Sequence, residues 1–234
     1  MDRIQYLSQF NLLRSLSSED LIEMDELTSI TTFPKYTFIQ TPDTFTEGLY
    51  FVKRGKVRLY RLNEEGKQFT LDILREGNIF GEMGDISLGT RGLFIETVEE
   101  SDICVMDKER FEGYLLRRPR FMLNMIKVMS ERLSHMSSLA QSLALGKLHD
   151  KIIHVLAELS ERFGVQDDGD DYSRIDMPLS HQEIAHLVGA SREAVSVALK
   201  ELAEAGMLRT RFRTVTVHRD ILRAAQKLAQ DDSL

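Results

Sequence analysis

Cysteine is nearly absent from this chain, and long apolar segments are missing altogether. The single cysteine among 234 residues, Cys104, excludes a disulfide framework and a four-thiolate zinc or iron–sulfur site within one chain. We interpret it as a small apolar strand residue. No run of about 18 apolar residues occurs, so the sequence predicts no membrane span and no membrane partner. The start, MDRIQYLSQF, lacks the apolar core of a signal peptide, and the expected location is cytoplasmic.

An excess of basic charge is also missing. The net charge is −7, so no overall field attracts nucleic acid, and any DNA binding must rest on a local basic surface. The histidines are scattered and form no metal motif or catalytic triad, so we expect neither enzyme activity nor a bound metal. They are His135, His149, His154, His181, His186 and His218.

The first half of the chain predicts a helix followed by strands. Residues 4–30 have an amphipathic helical pattern formed by Phe10, Leu13, Leu16, Leu21, Met24 and Leu27. From about residue 31 to 107, short β-rich runs such as LYFVKRGKVRLYRL alternate with turns. Glycines recur there at a spacing of 11, which predicts a β-sandwich or β-roll: Gly55, Gly66 and Gly77.

A long helix with an apolar seam is predicted after Pro119. Seam residues follow one another at alternating spacings of four and three, the heptad pattern of a coiled coil. A single such helix needs a partner, and the simplest is a second copy of the chain. A helix packed on its own domain is the alternative, but the regular period of 3.5 favours the dimer. The seam consists of Met122, Ile126, Met129, Leu133, Met136, Ala140 and Leu143.

An aspartate-rich segment follows a further predicted helix. Gly146 ends the seam helix, and a new apolar stripe runs from Leu148 to about Gly164. The next residues, VQDDGDDYS, contain Asp167, Asp168, Asp170 and Asp171. They lack the twelve-residue calcium-loop pattern with its closing glutamate, so we interpret them as a solvated loop.

The strongest motif is LSHQEIAHLVGASREAVSVALKEL. Ser180 and Glu183 have the spacing of a capping box that begins a helix. Gly189 suits the left-handed residue that ends it, and Ser191 then caps a second helix. The inner face of the second helix is Val195, Ala198, Leu199 and Leu202. Two short helices joined by a tight turn predict a helix-turn-helix, with a generic helical hairpin as the alternative.

A basic hairpin is predicted next. After Gly206, alternating residues in RTRFRTVTVHR suggest a two-stranded wing. This region contains one acidic residue, Asp220, and five arginines: Arg209, Arg211, Arg213, Arg219 and Arg223. A locally basic patch on an acidic chain is typical of DNA binding, and it favours a winged helix-turn-helix over the hairpin.

The order of these parts resembles the cyclic-AMP receptor protein/FNR family of bacterial transcription regulators over essentially the whole chain. HQEIAHLVGASREAVSVALKEL is closely similar to the family's DNA-binding signature, and FGEMG with TRG is similar, less completely, to its phosphate-binding cassette. The resemblance implies an α+β fold. Its parts would be a β-roll effector domain over 1–118, a dimerisation helix over 119–145 and a winged helix-turn-helix over 146–234.

For DNA, the resemblance implies a homodimer on a pseudo-palindromic operator in the nucleoid, with RNA polymerase as a further partner of an activator. Arg192 would bind guanine and Glu193 cytosine, with weaker base contacts from Ser196 and from Val197. Val197 stands where the family often has a second base-reading arginine. The half-site is therefore expected to depart from the common TGTGA pattern at that base. The implied backbone contacts are Ser180, His181, Gln182, Ser191, Lys200, Arg211 and Arg213.

For an effector, the resemblance implies a phosphate held by Arg91 and backbone N–H groups at the start of a short helix, with Glu82 on a ribose hydroxyl. Gly92 stands where the family usually has serine or threonine, and Leu93 where it usually has alanine. The implied set is Gly81, Glu82, Met83, Arg91, Gly92 and Ser137. Cyclic AMP, another small effector, and a vestigial pocket in which Glu82 and Arg91 pair with each other remain alternatives.

Other sensing modes and other classes of function fit less well. Haem and iron–sulfur sensing lack support, because there is one cysteine and no histidine before His135. A cyclic-nucleotide-responsive module without a DNA role, attached to an enzyme or channel, is a rival reading, but the chain has no catalytic constellation or membrane segment. A purely structural dimer is another rival, and it would leave the arginine-rich wing without a role.

Overall fold

The computed structural model describes residues 17–166 and 171–231. The chain divides into an N-terminal unit, Met1–His135, and a C-terminal unit, Met136–Leu234, and each is described by itself. The limits predicted for the three domains stay a prediction. Several residues singled out in the sequence lie outside the described part: Phe10, Leu13, Leu16, Asp167, Asp168 and Asp170.

The described part of the N-terminal unit begins with helix α1, which nine strands follow. Ser17 caps α1 by accepting a hydrogen bond from the backbone of Asp20, so the described helix begins well after residue 4. The elements are α1 (Ser18–Leu27), β1 (Ser29–Phe33), β2 (Phe38–Gln40), β3 (Gly48–Arg54), β4 (Lys56–Leu62), β5 (Gln68–Arg75), β6 (Ile79–Met83), β7 (Ile86–Ser87), β8 (Phe94–Thr97) and β9 (Ser101–Met106). Helices α2 (Lys108–Arg117) and α3 (Pro119–Leu145) follow.

The strands form two antiparallel sheets, which confirms the predicted roll. One sheet has the order β1-β9-β3-β6-β7 and the other β2-β8-β4-β5. The three evenly spaced glycines all have positive φ and all lie at turns between successive strands. The turn at Gly55 carries the chain from β3 in the first sheet to β4 in the second, so LYFVKRGKVRLYRL is a corner between sheets and not a hairpin.

An aromatic core joins the first sheet to the helices. Phe111 and Tyr114 of α2 and Phe121 of α3 are fully buried, and the rings of Tyr114 and Phe121 meet edge to face at 5.1 Å between centroids. Burial raises the pKa of the Tyr114 phenol, whose hydroxyl donates to the carbonyl of Asp20 at 3.0 Å. Cys104 of β9 is buried in the same cluster, as a small apolar strand residue should be.

Helix α3 has two apolar faces. Phe121 and Met125 pack into the core of the N-terminal unit. The seam lies on other positions of the helix, and there Ile126 is 56 % and Leu133 is 72 % exposed. Met122, Met129, Met136 and Ala140 are exposed as well, whereas Leu143 is half-buried. One copy of the chain therefore presents the predicted seam to water.

The described part of the C-terminal unit contains four more helices and a third sheet. Its elements are α4 (Leu148–Phe163), β10 (Gly164–Gln166), β11 (Tyr172–Ile175), α5 (His181–Val188), α6 (Arg192–Glu204), β12 (Leu208–Arg211), β13 (Thr214–His218) and α7 (Arg219–Asp231). The sheet has the order β10-β11-β13-β12. The hairpin β12–β13 is the predicted two-stranded wing, and β10 and β11 extend its sheet by two strands that were not predicted from the sequence. Among the described helices, none combines the length and apolar character that crossing a bilayer requires.

Gly81 is the glycine on which the sheet contact of β6 depends. Its φ is +124°, and a Cβ atom there would lie 2.0 Å from the carbonyl oxygen of Gly48 on β3. At Gly66, with φ +76°, an added Cβ atom meets nothing within 4 Å. A side chain at Gly81 would therefore meet both backbone strain and steric overlap, whereas a side chain at Gly66 would meet backbone strain alone.

Gly81→Ala is expected to destabilise the chain by at least about 3 kcal/mol, since backbone strain and overlap with a neighbouring strand add together. Gly66→Ala should cost only about 1–2 kcal/mol, the strain of a left-handed alanine. Urea unfolding followed by circular dichroism measures both. Equal losses in the two variants would contradict the steric argument.

Candidate nucleic-acid interface and effector site

Capping hydrogen bonds mark the starts of helices α5 and α6, and a glycine marks the end of α5. The Ser180 hydroxyl accepts from the backbone N–H of Glu183 at 3.2 Å, and the Glu183 carboxylate accepts from the N–H of Ser180 at 2.6 Å. Gly189 ends α5 with φ 68°, and Ser191 caps α6 by accepting from Ala194 at 3.2 Å. The predicted helix-turn-helix is present with its predicted caps.

The exposed face of α6 carries the residues expected to meet DNA. Val195, Ala198, Leu199 and Leu202 are buried on the opposite face. Val197 is 59 % exposed, so an apolar side chain does stand among the polar ones. We call this surface the reading face: Arg192, Glu193, Ser196, Val197 and Lys200, of which all but the half-buried Ser196 are exposed.

Ser196 links the two helices of the motif. Its hydroxyl donates to the carbonyl of Arg192 at 2.8 Å and lies 2.8 Å from Nδ1 of His181. A serine hydroxyl has one proton, so Nδ1 of His181 must be the donor in the second bond. The base contact predicted for Ser196 stays a prediction, and its hydroxyl proton is already used within the protein.

The wing, defined as the β12–β13 hairpin Leu208–His218, is fixed to the start of α5. Nη2 of Arg213 lies 3.2 Å from Oε1 of Glu183, and the carbonyl of Arg213 accepts from the N–H of Leu179 at 2.9 Å. Arg213 has φ 54°, which is uncommon for a residue with a side chain. The wing tip is therefore held by both side-chain and backbone bonds.

A cleft of about 600 Å³ separates the wing from the helices. Its lining includes most of the residues predicted to contact DNA and three arginines, which makes it suited to a polyanion. The lining residues are Leu179, Ser180, His181, Gln182, Arg192, Thr210, Arg211, Phe212, Arg213, Thr214 and Val215. Phe212, which is 93 % exposed, was not among the residues predicted from the sequence. The sequence did contain a sign of it, since an apolar residue lies between two arginines at a predicted turn.

In the roll, Glu82 is buried and bound within the protein. It is 1 % exposed, and its Oε1 accepts from the N–H of Thr90 at 2.6 Å, the hydroxyl of Thr90 at 2.9 Å and the N–H of Arg91 at 2.8 Å. A buried carboxylate needs such donors. The carboxylate thus ties the 90–91 segment to strand β6, and Oε1 is not available for a ribose hydroxyl.

The short helix expected to start at Gly81 and Met83 is absent from the structure, because residues 79–83 form strand β6. Residues 84–85 form a turn, and the chain continues as β7, which pairs with β6 through Glu82 and Ser87. Gly84 and Gly89 have φ of 57° and 72°, which do not propagate a right-handed helix. That expectation is wrong here, and no helix N-terminus is available to hold an anion at Gly81 or Met83.

Arginine side chains provide the positive charge near this segment. The guanidinium of Arg91 lies 5.4 Å from the ring centroid of Phe45 and is exposed. A Cβ atom built at Gly92 would lie 4.0 Å from Nη2 of Arg61, so a second guanidinium is close to the backbone beside Arg91. Ser137, on α3, is exposed and belongs to the other unit, and its role stays a prediction.

Metal ligands do not gather in the described residues: no group of three or more histidine, cysteine, aspartate or glutamate side chains there is arranged to hold an ion.

Two domain families match the two ends of the chain. Residues 30–118 match the cyclic nucleotide-binding domain, and residues 150–225 match the Crp-like helix-turn-helix domain. The first range contains the Glu82 and Arg91 segment, and the second contains α5, α6 and the wing.

Curated proteins and solved structures match along most of their length. The CRP-like cAMP-activated global transcriptional regulator of Mycobacterium tuberculosis is 30 % identical over 178 residues, 74 % of this chain and 79 % of the relative. The global nitrogen regulator of Synechocystis is 29 % identical over 84 % of this chain and 88 % of the relative.

Among solved structures, a mutant of CooA from Carboxydothermus hydrogenoformans has a TM-score of 0.73 at 25 % identity and covers 94 % of each chain. The c-di-GMP responsive global regulator CLP of Xanthomonas campestris has a TM-score of 0.72 at 25 % identity, over 86 % of this chain and 99 % of that one. A roll, a long helix and a winged helix-turn-helix in the same order, with these identities and coverages, show that the chain belongs to the cyclic-AMP receptor protein/FNR family of DNA-binding transcription regulators.

Proposed function

We propose that the protein acts as a homodimer that reads a pseudo-palindromic operator, and that a small anionic effector in the roll controls its DNA affinity. The observation that carries the DNA part is the exposed pair Arg192 and Glu193 at the start of α6. These two side chains stand free of the core on a helix whose opposite face is buried, beside a cleft lined by arginines.

The reading face suits base recognition at the N-terminal end of α6. An arginine binds guanine O6 and N7 with two parallel hydrogen bonds, and a glutamate accepts from cytosine N4. Arg192 and Glu193 are assigned these roles. Val197 has no hydrogen-bonding group, and it contacts at most a thymine methyl.

Phosphate contacts are assigned to the surrounding polar residues. The hydroxyls of Ser180 and Ser191 accept from cap amides and keep their protons for a phosphate oxygen. Because Nδ1 of His181 donates to Ser196, its ring donates to a phosphate through Nε2 only when it is protonated. Charged and amide groups complete the set: Gln182, Lys200, Arg211 and Arg213.

The exposed seam of α3 supports the dimer. A patch of exposed methionine, isoleucine and leucine side chains at coiled-coil spacing is buried when two copies pair. Two recognition helices then meet successive major grooves about 34 Å apart. RNA polymerase is the further partner assigned to an activator of this kind.

An anionic effector is favoured by Arg91 and Arg61. Both side chains are exposed beside the 90–92 segment, and neither forms an ion pair with any described residue. Cyclic AMP is the first candidate, since the Mycobacterium relative is named as cAMP-activated, and a cyclic dinucleotide is the second, since the Xanthomonas protein is named as c-di-GMP responsive. The effector acts by binding one arrangement of the dimer better than the other.

Arg192→Ala is expected to weaken binding to the operator selected by the wild-type protein by about 1–3 kcal/mol per half-site and to flatten preference at one base. Lys200→Ala is the control, because a lost phosphate contact weakens all sequences evenly and lowers the salt slope by about 1. Selection from a random library followed by salt-dependent binding measures both. An unchanged selected motif for Arg192→Ala refutes the base-reading role.

Val197→Arg should move preference toward guanine at one further base of each half-site, because it adds a bidentate donor on the exposed reading face. Val197→Ala, which adds no donor, should leave the motif as it is. The two selected motifs are compared with that of the wild type. A Val197→Arg motif identical to the wild-type one contradicts the prediction.

Cyclic AMP is expected to raise the melting temperature of the wild-type protein and to change its DNA affinity, and Arg91→Ala should abolish both effects. Lys67→Ala removes an exposed charge from the turn between β4 and β5, and it should respond like the wild type. Thermal shift and operator titration, with and without the nucleotide, give the result. No binding by the wild type would exclude cyclic AMP as the effector.

A further inference from the structure

Phe212 is the most exposed large apolar side chain among the described residues, at 93 %. A phenylalanine side chain stabilises a fold when it is buried away from water. This ring contributes almost none of that stabilisation, since it lies in water. The left-handed φ of the turn belongs to its neighbour, Arg213, so the turn geometry does not call for an aromatic residue either.

The ring stands at a fixed point on the wing tip. Arg211 and Thr214 are paired across the hairpin, which leaves a loop of two residues, Phe212 and Arg213. Arg213 is bound on its side chain by Glu183 and on its backbone by Leu179. A short loop held on both sides presents its first residue, Phe212, in a defined direction at little entropic cost.

The ring is surrounded by positive charge on the surface that faces DNA. Arg211 and Arg213 flank it in sequence, and all three residues line the same cleft as Arg192. A protein partner with an apolar pocket gains little from this cationic rim. A nucleic acid gains from every arginine, since each neutralises a phosphate.

The shape of B-DNA then defines what the ring meets. With the start of α6 in the major groove, the wing across the cleft would lie against the sugar–phosphate strand that bounds this groove. The two arginines would then reach phosphates of that strand, and the ring between them would extend toward the minor groove. There the apolar surfaces are sugar edges and base faces, because thymine methyls lie in the major groove.

We propose that Phe212 is an apolar wedge that enters the minor groove beside each half-site, partly unstacks one base step and bends the operator. This inference rests on the proposed operator binding and adds a contact and a DNA deformation to it. Wedging costs least at flexible TA and CA/TG steps, so Phe212 makes the flanks of the half-site part of the recognised sequence without a hydrogen bond to any base.

The test uses the full-length protein and the operator selected by the wild type, with 2-aminopurine at the flanking step and donor and acceptor dyes at the DNA ends. Wild-type protein should raise the 2-aminopurine fluorescence and shorten the end-to-end distance. Phe212→Ala should lose both signals and about tenfold in affinity, whereas Phe212→Leu, which keeps an apolar wedge, should retain most of each. Val165→Ala alters another exposed apolar residue, on the opposite edge strand β10, and should change nothing.

The outcomes separate this inference from the function beneath it. If Phe212→Ala leaves fluorescence, bending and flank preference as in the wild type, the wedge is refuted while the role of Arg192 stands. If these signals persist but transcription in a reconstituted assay falls, the ring contacts protein, and the wedge is again refuted. A wild-type protein that selects no operator, with or without cyclic AMP, overturns the proposed function and this inference together.

Discussion

One carboxylate, that of Glu183, connects the start of the helix-turn-helix to the tip of the wing in the C-terminal unit. Its Oε2 accepts from the backbone of Ser180 and so begins α5, while its Oε1 holds Arg213 at the wing tip. Because both bonds end on one planar group, a shift of the wing tip away from the start of α5 breaks the bond between Glu183 and Arg213. The spacing between the reading face and the wing is thus set before any DNA arrives, which reduces the ordering that binding requires.

A second carboxylate, that of Glu82, does comparable work in the N-terminal unit. It lies at the end of β6 and gathers three donors from Thr90 and Arg91 on a single oxygen. The segment that carries Arg91 is therefore attached to the sheet and not loose in solvent. An anion bound by Arg91 would act on a backbone segment that is hydrogen-bonded to Glu82 of β6. Because β6 is paired with β3, the central strand of the sheet is connected to the exposed guanidinium through two successive sets of hydrogen bonds.

What could be predicted from the sequence was what local chemistry encodes. Ser180, Gly189 and Ser191 mark helix ends by their own side chains or backbone freedom, and the structure has those ends. The strands β10 and β11 were missed because β10 is three exposed residues with no alternation to detect, and it is a strand only through its partner. The short helix expected at Gly81 and Met83 was wrong because it was implied by a resemblance, whereas the glycines nearby favour a strand end and a turn. The burial of Glu82 was not visible either, since its donors lie eight and nine residues away in a loop.

The exposed seam of α3 also makes the behaviour of the protein depend on its concentration in the cell. An unpaired copy keeps a row of methionine, isoleucine and leucine side chains in water, and pairing removes that cost only when a second copy is near. Stability and operator occupancy then both depend on the total concentration of the chain, by mass action. Dilution by cell growth or a change in its own synthesis becomes an input to the regulator, independent of any molecule that binds in the roll.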